Sequence, residues 1–367
     1  MRTINFLHRW AGGLIGLLLV VIGASGTLLM HQDAWLRATL PHAADTFVQQ
    51  DSARLAPIVT RLFADPVNRP SSILFAREGF GLGRLSYTDR DAGAYVDQAG
   101  NIVTRWSSKW ERPEIWLFDL HHHLLAGPAG DIVAGIAGLV GIGFVVTGGL
   151  LWWRTRQTFA FRLWPRRLSR AAILRHHRDL GIVAAPLLLL SFVTGAMMDL
   201  PPVERLLLRP FSEPAEIAPV QAAPKGISGS LVRPVDWRGI LDTAHARFPD
   251  AELRWIGLPA EPGRLIKVRM RQPSEWTPNG LTMLWFDPAD SRLARVQDAL
   301  TLPKGARIAA LEYPVHAGKV GGLAWRLVMT ISGVALTILG TMAVYAFWLG
   351  GGRSNFSPRD QTFPSNP

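Results

Sequence analysis

Residues 118–154 read FDLHHHLLAGPAGDIVAGIAGLVGIGFVVTGGLLWWR. Three consecutive histidines precede a stretch from Asp131 to Arg154 with no charged residue between its ends. About 20 apolar residues in a helix cross the roughly 30 Å of hydrocarbon in a bilayer. The stretch therefore predicts a membrane-spanning helix with a cluster of imidazoles at its start.

Three other stretches of the chain are equally free of charge. They run from Arg9 to Asp33, from Asp179 to Asp199 and from Arg326 to Arg353. The first is also compatible with a cleaved signal peptide, with Ala24-Ser25-Gly26 as the cleavage site. Its apolar run is longer than a usual signal core, however, and three more spans follow. We therefore expect four membrane spans.

The connection between spans two and three predicts the orientation. Residues 154–178 contain eight arginines and no acidic residue, and short loops rich in Arg and Lys face the cytoplasm. Both termini are then cytoplasmic, and the two long connections lie on the periplasmic side of a bacterial inner membrane. The net charge of +11 is thus explained by topology and by contact with anionic lipid, and it does not indicate a nucleic-acid partner.

The predicted organisation alternates spans with connections. It comprises a cytoplasmic N-terminus with the first span (1–33), an external module (34–117), the second span (118–153), a basic cytoplasmic loop (154–178), the third span (179–199), a second external module (200–313), the fourth span (314–350) and a cytoplasmic tail (351–367). Because the chain has no cysteine, disulfides, cysteine-ligated iron–sulfur clusters and c-type haem attachment are excluded.

The two halves of this pattern are similar to each other. LHRWAGGLIG (7–16) resembles HHRDLGIVAA (176–185), and each leads into a span. Residues 51–66 and 236–250 are amphipathic and predict helices, and strand-like segments follow each of them. The predicted fold is a membrane protein with a bundle of four transmembrane helices and two small α+β modules, arranged as an internal duplication.

Eight of the ten histidines lie at predicted span ends. They are His8, His176 and His177 on the cytoplasmic side, and His31, His121, His122, His123 and His316 on the outer side. A single histidine at such a place is usually interfacial, since its ring reaches water and headgroups. The similarity of the halves, however, pairs His8 with His177 and His121 with His316. These four histidines lie at two levels of one bundle.

Histidines at two levels are what a four-helix bundle needs to hold two non-covalent b-type haems, each with two axial imidazoles. His8 and His31 are 23 residues apart, about 34 Å along a helix, so one haem cannot use both. We predict His8 with His177 for the inner haem and His121 with His316 for the outer one. His31 is the main substitute, and the secondary candidates are His176, His122 and His123.

Other cofactors and ligands fit the same residues. The triplet at 121–123 is also compatible with zinc or nickel, but adjacent residues on a helix point in different directions. Met197 or Met198 is an alternative axial ligand, although Met near a span end usually packs. EGFGLGRLS (78–86) is not followed by a helix, so it is not a dinucleotide fingerprint. The electron donor is then a quinol or a separate protein.

Several motifs resemble the PepSY-associated transmembrane family. They are HRWAGG, DLHHHLLAG, HRDLG and PVHAG before the four spans, and TGGLLWWR (147–154) at the end of the second. The resemblance covers about residues 3–350 and implies that the two α+β segments are PepSY modules. It departs from a strict repeat at Leu200, where the second half has no counterpart of His31.

Members of that family include iron-regulated inner-membrane proteins, and some are di-haem reductases that release iron from ferric siderophores in the periplasm. The resemblance therefore implies a ferric-siderophore reductase, with His8, His31, His121, His177 and His316 as ligand candidates. Two other functions stay open at this point. One is a siderophore or peptide permease, and the other is a non-catalytic envelope regulator.

Overall fold

A computed structural model describes residues 1–65, 67–88, 91–162, 164–165, 167–213, 235–259 and 264–349. The helices are α1 (Arg2–Met30), α2 (Gln32–Thr39), α3 (Ser52–Ala64), α4 (Pro113–His123), α5 (Pro128–Thr155), α6 (Arg170–Asp199), α7 (Pro201–Leu208), α8 (Trp237–Arg247), α9 (Lys304–His316) and α10 (Gly322–Val344). The strands are β1 (Ser72–Leu74), β2 (Gly83–Ser86), β3 (Gly93–Val96), β4 (Ile102–Trp106), β5 (Glu252–Gly257), β6 (Ile266–Arg271), β7 (Thr282–Phe286) and β8 (Leu293–Gln297). The predicted tail, 351–367, lies outside the described residues.

Four helices of the described chain are long and apolar enough to cross a membrane, and they are α1, α5, α6 and α10. The four predicted spans are thus confirmed as helices. Helix α1 packs along α10, and α5 packs along α6. Helix α6 also contacts α10 and α1 contacts α5, and these contacts close the bundle. Glycines allow the α1–α10 approach: a Cβ atom at Gly340 would lie 2.8 Å from the carbonyl oxygen of Gly16. Small residues are used in this way where membrane helices pack closely.

The histidine triplet belongs to a separate helix rather than to the second span. Helix α4 ends at His123, and Leu124 and Leu125 adopt left-handed conformations with φ of 48° and 59°. The membrane helix α5 then begins at Pro128, whose missing N–H suits the first helical position. His316 likewise ends the short helix α9, and a turn separates it from α10. The segments predicted as 118–153 and 314–350 therefore each contain the end of a short helix and then a span.

The strands of both external segments join in one antiparallel sheet, with the order β4-β3-β2-β1-β5-β6-β7-β8. As predicted, each segment has a helix followed by antiparallel strands, but the two do not form independent modules. Strand β1 pairs with β5, with Ser72 opposite Gly257 and Leu74 opposite Trp255. This pairing removes two sheet edges whose backbone groups would otherwise lack partners. The internal duplication stays a prediction.

The two faces of the sheet have different neighbours. Helices α3 and α8 cover one face, where Phe63 stacks on Trp237 at a ring distance of 5.0 Å, and buried Ile73 and Ile256 lie in the same core. On β5 a β-bulge between Leu253 and Trp255 interrupts the alternation of side chains, and Arg254 lines a cavity on the other face, which covers one end of the bundle. We call the end of the bundle that the sheet covers the sheet end, and the end near residues 154–178 the loop end.

Candidate functional site

Two pairs of histidines face each other, one at each end of the bundle. At the loop end, the rings of His8 on α1 and His177 on α6 have centroids 6.3 Å apart. At the sheet end, the rings of His121 on α4 and His316 on α9 have centroids 6.2 Å apart. The structure therefore brings together both pairs that the sequence predicts, and each pair joins two different helices.

At the loop end, the hydrogen bonds of both rings assign their tautomers. Nδ1 of His8 lies 2.8 Å from Oγ1 of Thr147. That hydroxyl donates to the carbonyl oxygen of Gly143 at 2.6 Å, so it accepts a hydrogen bond from Nδ1–H of His8. Nδ1–H of His177 donates to the carbonyl oxygen of Leu339 at 3.2 Å. In a neutral imidazole the other nitrogen, Nε2, then carries the lone pair.

The sheet-end pair follows the same rule. Nδ1–H of His121 donates to the carbonyl oxygen of Ile22 at 3.0 Å. Nδ1 of His316 lies 2.9 Å from Oγ1 of Thr194, which donates to Leu190 at 2.8 Å. In all four rings Nδ1 is thus fixed by a neighbouring helix and Nε2 is the unprotonated nitrogen. In known metal sites, a hydrogen bond from one ring nitrogen orients the histidine in the same way, and the other nitrogen binds the metal.

Burial keeps the sheet-end rings neutral. Burial and, to a smaller extent, the neighbouring His316 lower the pKa of His121 to about 4. Burial likewise lowers the pKa of His316 to about 4. Both imidazoles are therefore uncharged at pH 7, which is the protonation state that a metal ligand requires.

The pairs fit an iron ion held by a planar cofactor. Two imidazoles that share one metal ion, with metal–nitrogen bonds of about 2 Å, have ring centroids about 6 Å apart, which is close to both observed distances. Among the described residues, no group of three or more His, Cys, Asp or Glu side chains forms a metal site. Since structural zinc takes four ligands, a site with two protein ligands needs a partner that supplies the rest. The haem macrocycle does so.

A cavity of about 540 Å³ lies beside the loop-end pair and contacts both rings. This is within the usual size range of cofactor pockets. Its lining includes many glycines, and a Cβ atom at Gly148 would lie 3.5 Å from Cε1 of His8. The absence of side chains at these positions opens room for a flat group between the helices. The glycines are Gly12, Gly16, Gly148, Gly149, Gly181 and Gly340.

Two smaller cavities flank the sheet-end pair. One of about 100 Å³ lies within the bundle, and one of about 210 Å³ reaches toward the sheet. Gly26 lines both, and the ring of His121 lies directly on it. A Cβ atom there would come within 2.6 Å of Cε1 of His121, so a larger residue would displace the ring.

The remaining candidate histidines are placed differently. The hydroxyl of Thr330 donates to the carbonyl oxygen of Arg326, so it accepts a hydrogen bond from Nε2–H of His31 at 2.9 Å. His31 therefore has the other tautomer, and it belongs to neither pair. His122 stacks on Phe118 at 4.4 Å although it also lines the sheet-end cavities, and His123 is paired with Asp131. His176 is buried and lies in neither pair.

The structure also shows where the two candidate methionines, Met197 and Met198, lie. Met197 is buried in a cluster with Leu208, as expected of a packing residue. Met198 lines the two sheet-end cavities. Neither is the second partner of a histidine, because each paired ring already faces another imidazole.

The sequence reasoning missed the residues that orient the rings. Three dipeptides, Ser25-Gly26, Thr147-Gly148 and Thr194-Gly195, share one design. The hydroxyl lies within hydrogen-bond distance of Nδ1 of a paired histidine, and the glycine contacts the same ring. A hydroxyl residue before glycine also occurs in the fourth span, at Ser332-Gly333, where the serine contacts Ser191 instead. The recurrence was therefore an available signal, but it does not tell which dipeptides contact a histidine.

Comparison with known proteins establishes the class. The family model described as the PepSY-associated TM region matches residues 6–350. The chain therefore belongs to that family, and it is a membrane protein of the PepSY-associated type. No curated protein matches it.

Proposed function

We propose that this protein is a di-haem b-type oxidoreductase of the bacterial inner membrane that reduces Fe(III)-siderophores in the periplasm and releases Fe(II). The observation that carries the proposal is the pair of facing imidazoles at each end of the bundle, all four with Nδ1 fixed and Nε2 available. The family's di-haem reductases, which the sequence motifs resemble, support the same reading. A permease or a regulator would leave this arrangement without a purpose.

The chain's own residues would hold the two cofactors at different depths. On α1, His8 marks the depth of the loop-end pair, and Gly26, which contacts the ring of His121, marks the depth of the sheet-end pair. These two residues are 18 positions apart, which corresponds to about 27 Å along the helix. Haem supplies one-electron redox chemistry when bound. The pairs are thus separated by most of the hydrocarbon thickness, as transmembrane electron transfer requires.

The overall reaction balances with a quinol as donor. One quinol is oxidised to the quinone, releases two protons and supplies two electrons, which reduce two Fe(III)-chelates to the Fe(II) state. A separate reductase protein is the alternative donor. Fe(II) is held less tightly than Fe(III) by the hard oxygen ligands of siderophores, so reduction frees the metal.

The orientation in the membrane is part of the proposal. A reporter that is active only in the cytoplasm, fused after Pro165 in the arginine-rich loop, should be active, because positive loops are retained inside. A fusion after Asn101, in the turn before β4, should be silent with that reporter. Activity of a periplasmic reporter at Pro165 would refute this topology.

An absorbance spectrum tests the function directly. Protein purified from cells supplied with iron should show the bands of b-type haem, and these bands should sharpen after reduction with dithionite, since six-coordinate haem iron changes its electronic state. Haem should be present at about two per chain. A colourless protein with normal folding would favour the permease or the regulator instead.

A further inference from the structure

The cavity of about 210 Å³ between the sheet and His121 has an unusual charge. Its charged lining residues are one carboxylate, that of Asp33, and four cations, namely Arg77, Arg84, Arg254 and Lys319. The same cavity touches the rings of His121 and His316. A molecule that fills it is thus in contact with both the cations and the sheet-end pair.

Asp33 neutralises only part of this charge. It is paired with Arg77 and lies 3.3 Å from Nζ of Lys319. Burial acts to raise the pKa of Asp33, but Lys319 and Arg77 hold it below its usual value. The carboxylate is therefore ionised at neutral pH, and a net positive charge remains in the cavity.

Arg254 is the most informative of the cations. It is only 1% exposed, and its Nη1 donates to the carbonyl oxygen of Ala76 at 2.7 Å while Nη2 donates to Asn279 at 3.3 Å. Its buried Nε–H has no hydrogen-bond partner, and the same is true of Arg84. Among the described residues, neither guanidinium forms an ion pair. Burial and, to a smaller extent, the nearby Arg77 lower the pKa of Arg254 to about 10.

A buried guanidinium with an unused donor is costly unless an anion satisfies it. Arginine is also the side chain best suited to bind carboxylates, because its planar fork matches their oxygens. Two buried guanidinium groups that line the cavity thus keep an Nε–H without a protein partner, and an anion in the cavity would satisfy them.

We propose that this cavity binds the anionic oxygen face of the iron chelate, so that the protein selects carboxylate-bearing chelates of net negative charge over cationic ones. The proposal rests on the proposed function, since it assigns the substrate class of that site. A second source of the same chemistry is the carboxylates of the resident cofactor, and the experiment separates the two.

The test measures binding without turnover. The probes are the redox-inert Ga(III)–citrate complex, which is anionic, and a cationic Ga(III) trihydroxamate, titrated against full-length protein in detergent by calorimetry. Wild-type protein should bind the anionic probe more tightly. Lys319→Gln should weaken that binding about tenfold, which is the effect of losing one charge-assisted contact. Asp33→Asn should tighten it several-fold, because it leaves the cations without their carboxylate.

The matched control is Lys267→Gln, a partly buried lysine on β6 that does not line the cavity. It should leave the dissociation constant within about twofold, as expected for long-range charge effects screened by salt. Haem content is measured in every variant and should stay equal to that of the wild type. Unchanged affinity in Lys319→Gln, or a loss of haem in that variant without a loss of affinity, would overturn the proposal. Tight binding of the anionic probe by a protein that contains no haem would refute the proposed function and leave the anion site standing.

Discussion

Replacing His177 with alanine is expected to remove about half of the haem and to leave the other half in place, because His177 and His8 would together hold the proposed inner haem. Nε2 of His177 is oriented by the hydrogen bond from Nδ1–H to Leu339, and the partner ring of His8 lies 6.3 Å away. His8→Ala should have the same effect. The measurement is the haem-to-protein ratio of the purified variants.

The matched control for this experiment is His176→Ala. His176 is adjacent in sequence and buried, but in the described part of the chain its ring forms no pair with another histidine like that of His8 with His177, so its loss should leave the ratio near that of the wild type. Thr147→Val, which removes only the hydroxyl that orients His8, should weaken retention of the inner haem without abolishing it. If both His8→Ala and His177→Ala keep the wild-type ratio, the inner pair is wrong.

Replacing His121 with alanine is expected to abolish the outer haem and, with it, quinol-dependent reduction of Fe(III)-chelates. Its ring faces His316 at 6.2 Å, lies on Gly26 and is bonded to the carbonyl oxygen of Ile22. Reduction should fall by at least about 100-fold, since the electron path then lacks its last site. Both the haem-to-protein ratio and the reduction rate are measured.

The neighbours in the triplet provide the controls. His122 stacks on Phe118 and His123 is paired with Asp131, so alanine at either position should leave the haem content close to normal. A variant of His122 or His123 that loses a haem, while His121→Ala keeps both, would show that the ligand is a neighbour. In that case the alignment of His121 with His316 is off by one or two residues.

The spans and the external helices and strands were predictable because each depends on local composition or periodicity. A charge-free stretch of about 20 residues marks a span whatever it packs against, and the amphipathic pattern of 51–66 is sufficient to predict α3. The boundaries were less predictable. The sequence treats 118–153 as one segment, whereas the left-handed residues Leu124 and Leu125 divide it into two helices.

The candidate site could be predicted as two pairs of histidines, His8 with His177 and His121 with His316, but the contacts that orient their rings could not be predicted. The sequence places imidazoles at two levels and pairs His8 with His177 through the similarity of the halves. It does not exclude His31, because that residue is also at a span end. In the structure its Nε2 is instead within hydrogen-bond distance of Oγ1 of Thr330, a residue 299 positions away, and no local pattern encodes such a contact.

The sequence by itself determined the class of this protein, its four spans and the histidines from which two pairs are drawn, since hydrocarbon burial and helix periodicity act within single segments. The tertiary structure alone decided that the two α+β segments form one sheet, which hydrogen bonds fix the tautomers of the paired imidazoles, and that Asp33, Arg77, Arg254 and Lys319 line one cavity. The physical reason is that strand pairing, ring orientation and charge clustering depend on contacts between residues far apart in the chain. Packing brings those residues together only when the whole protein has folded.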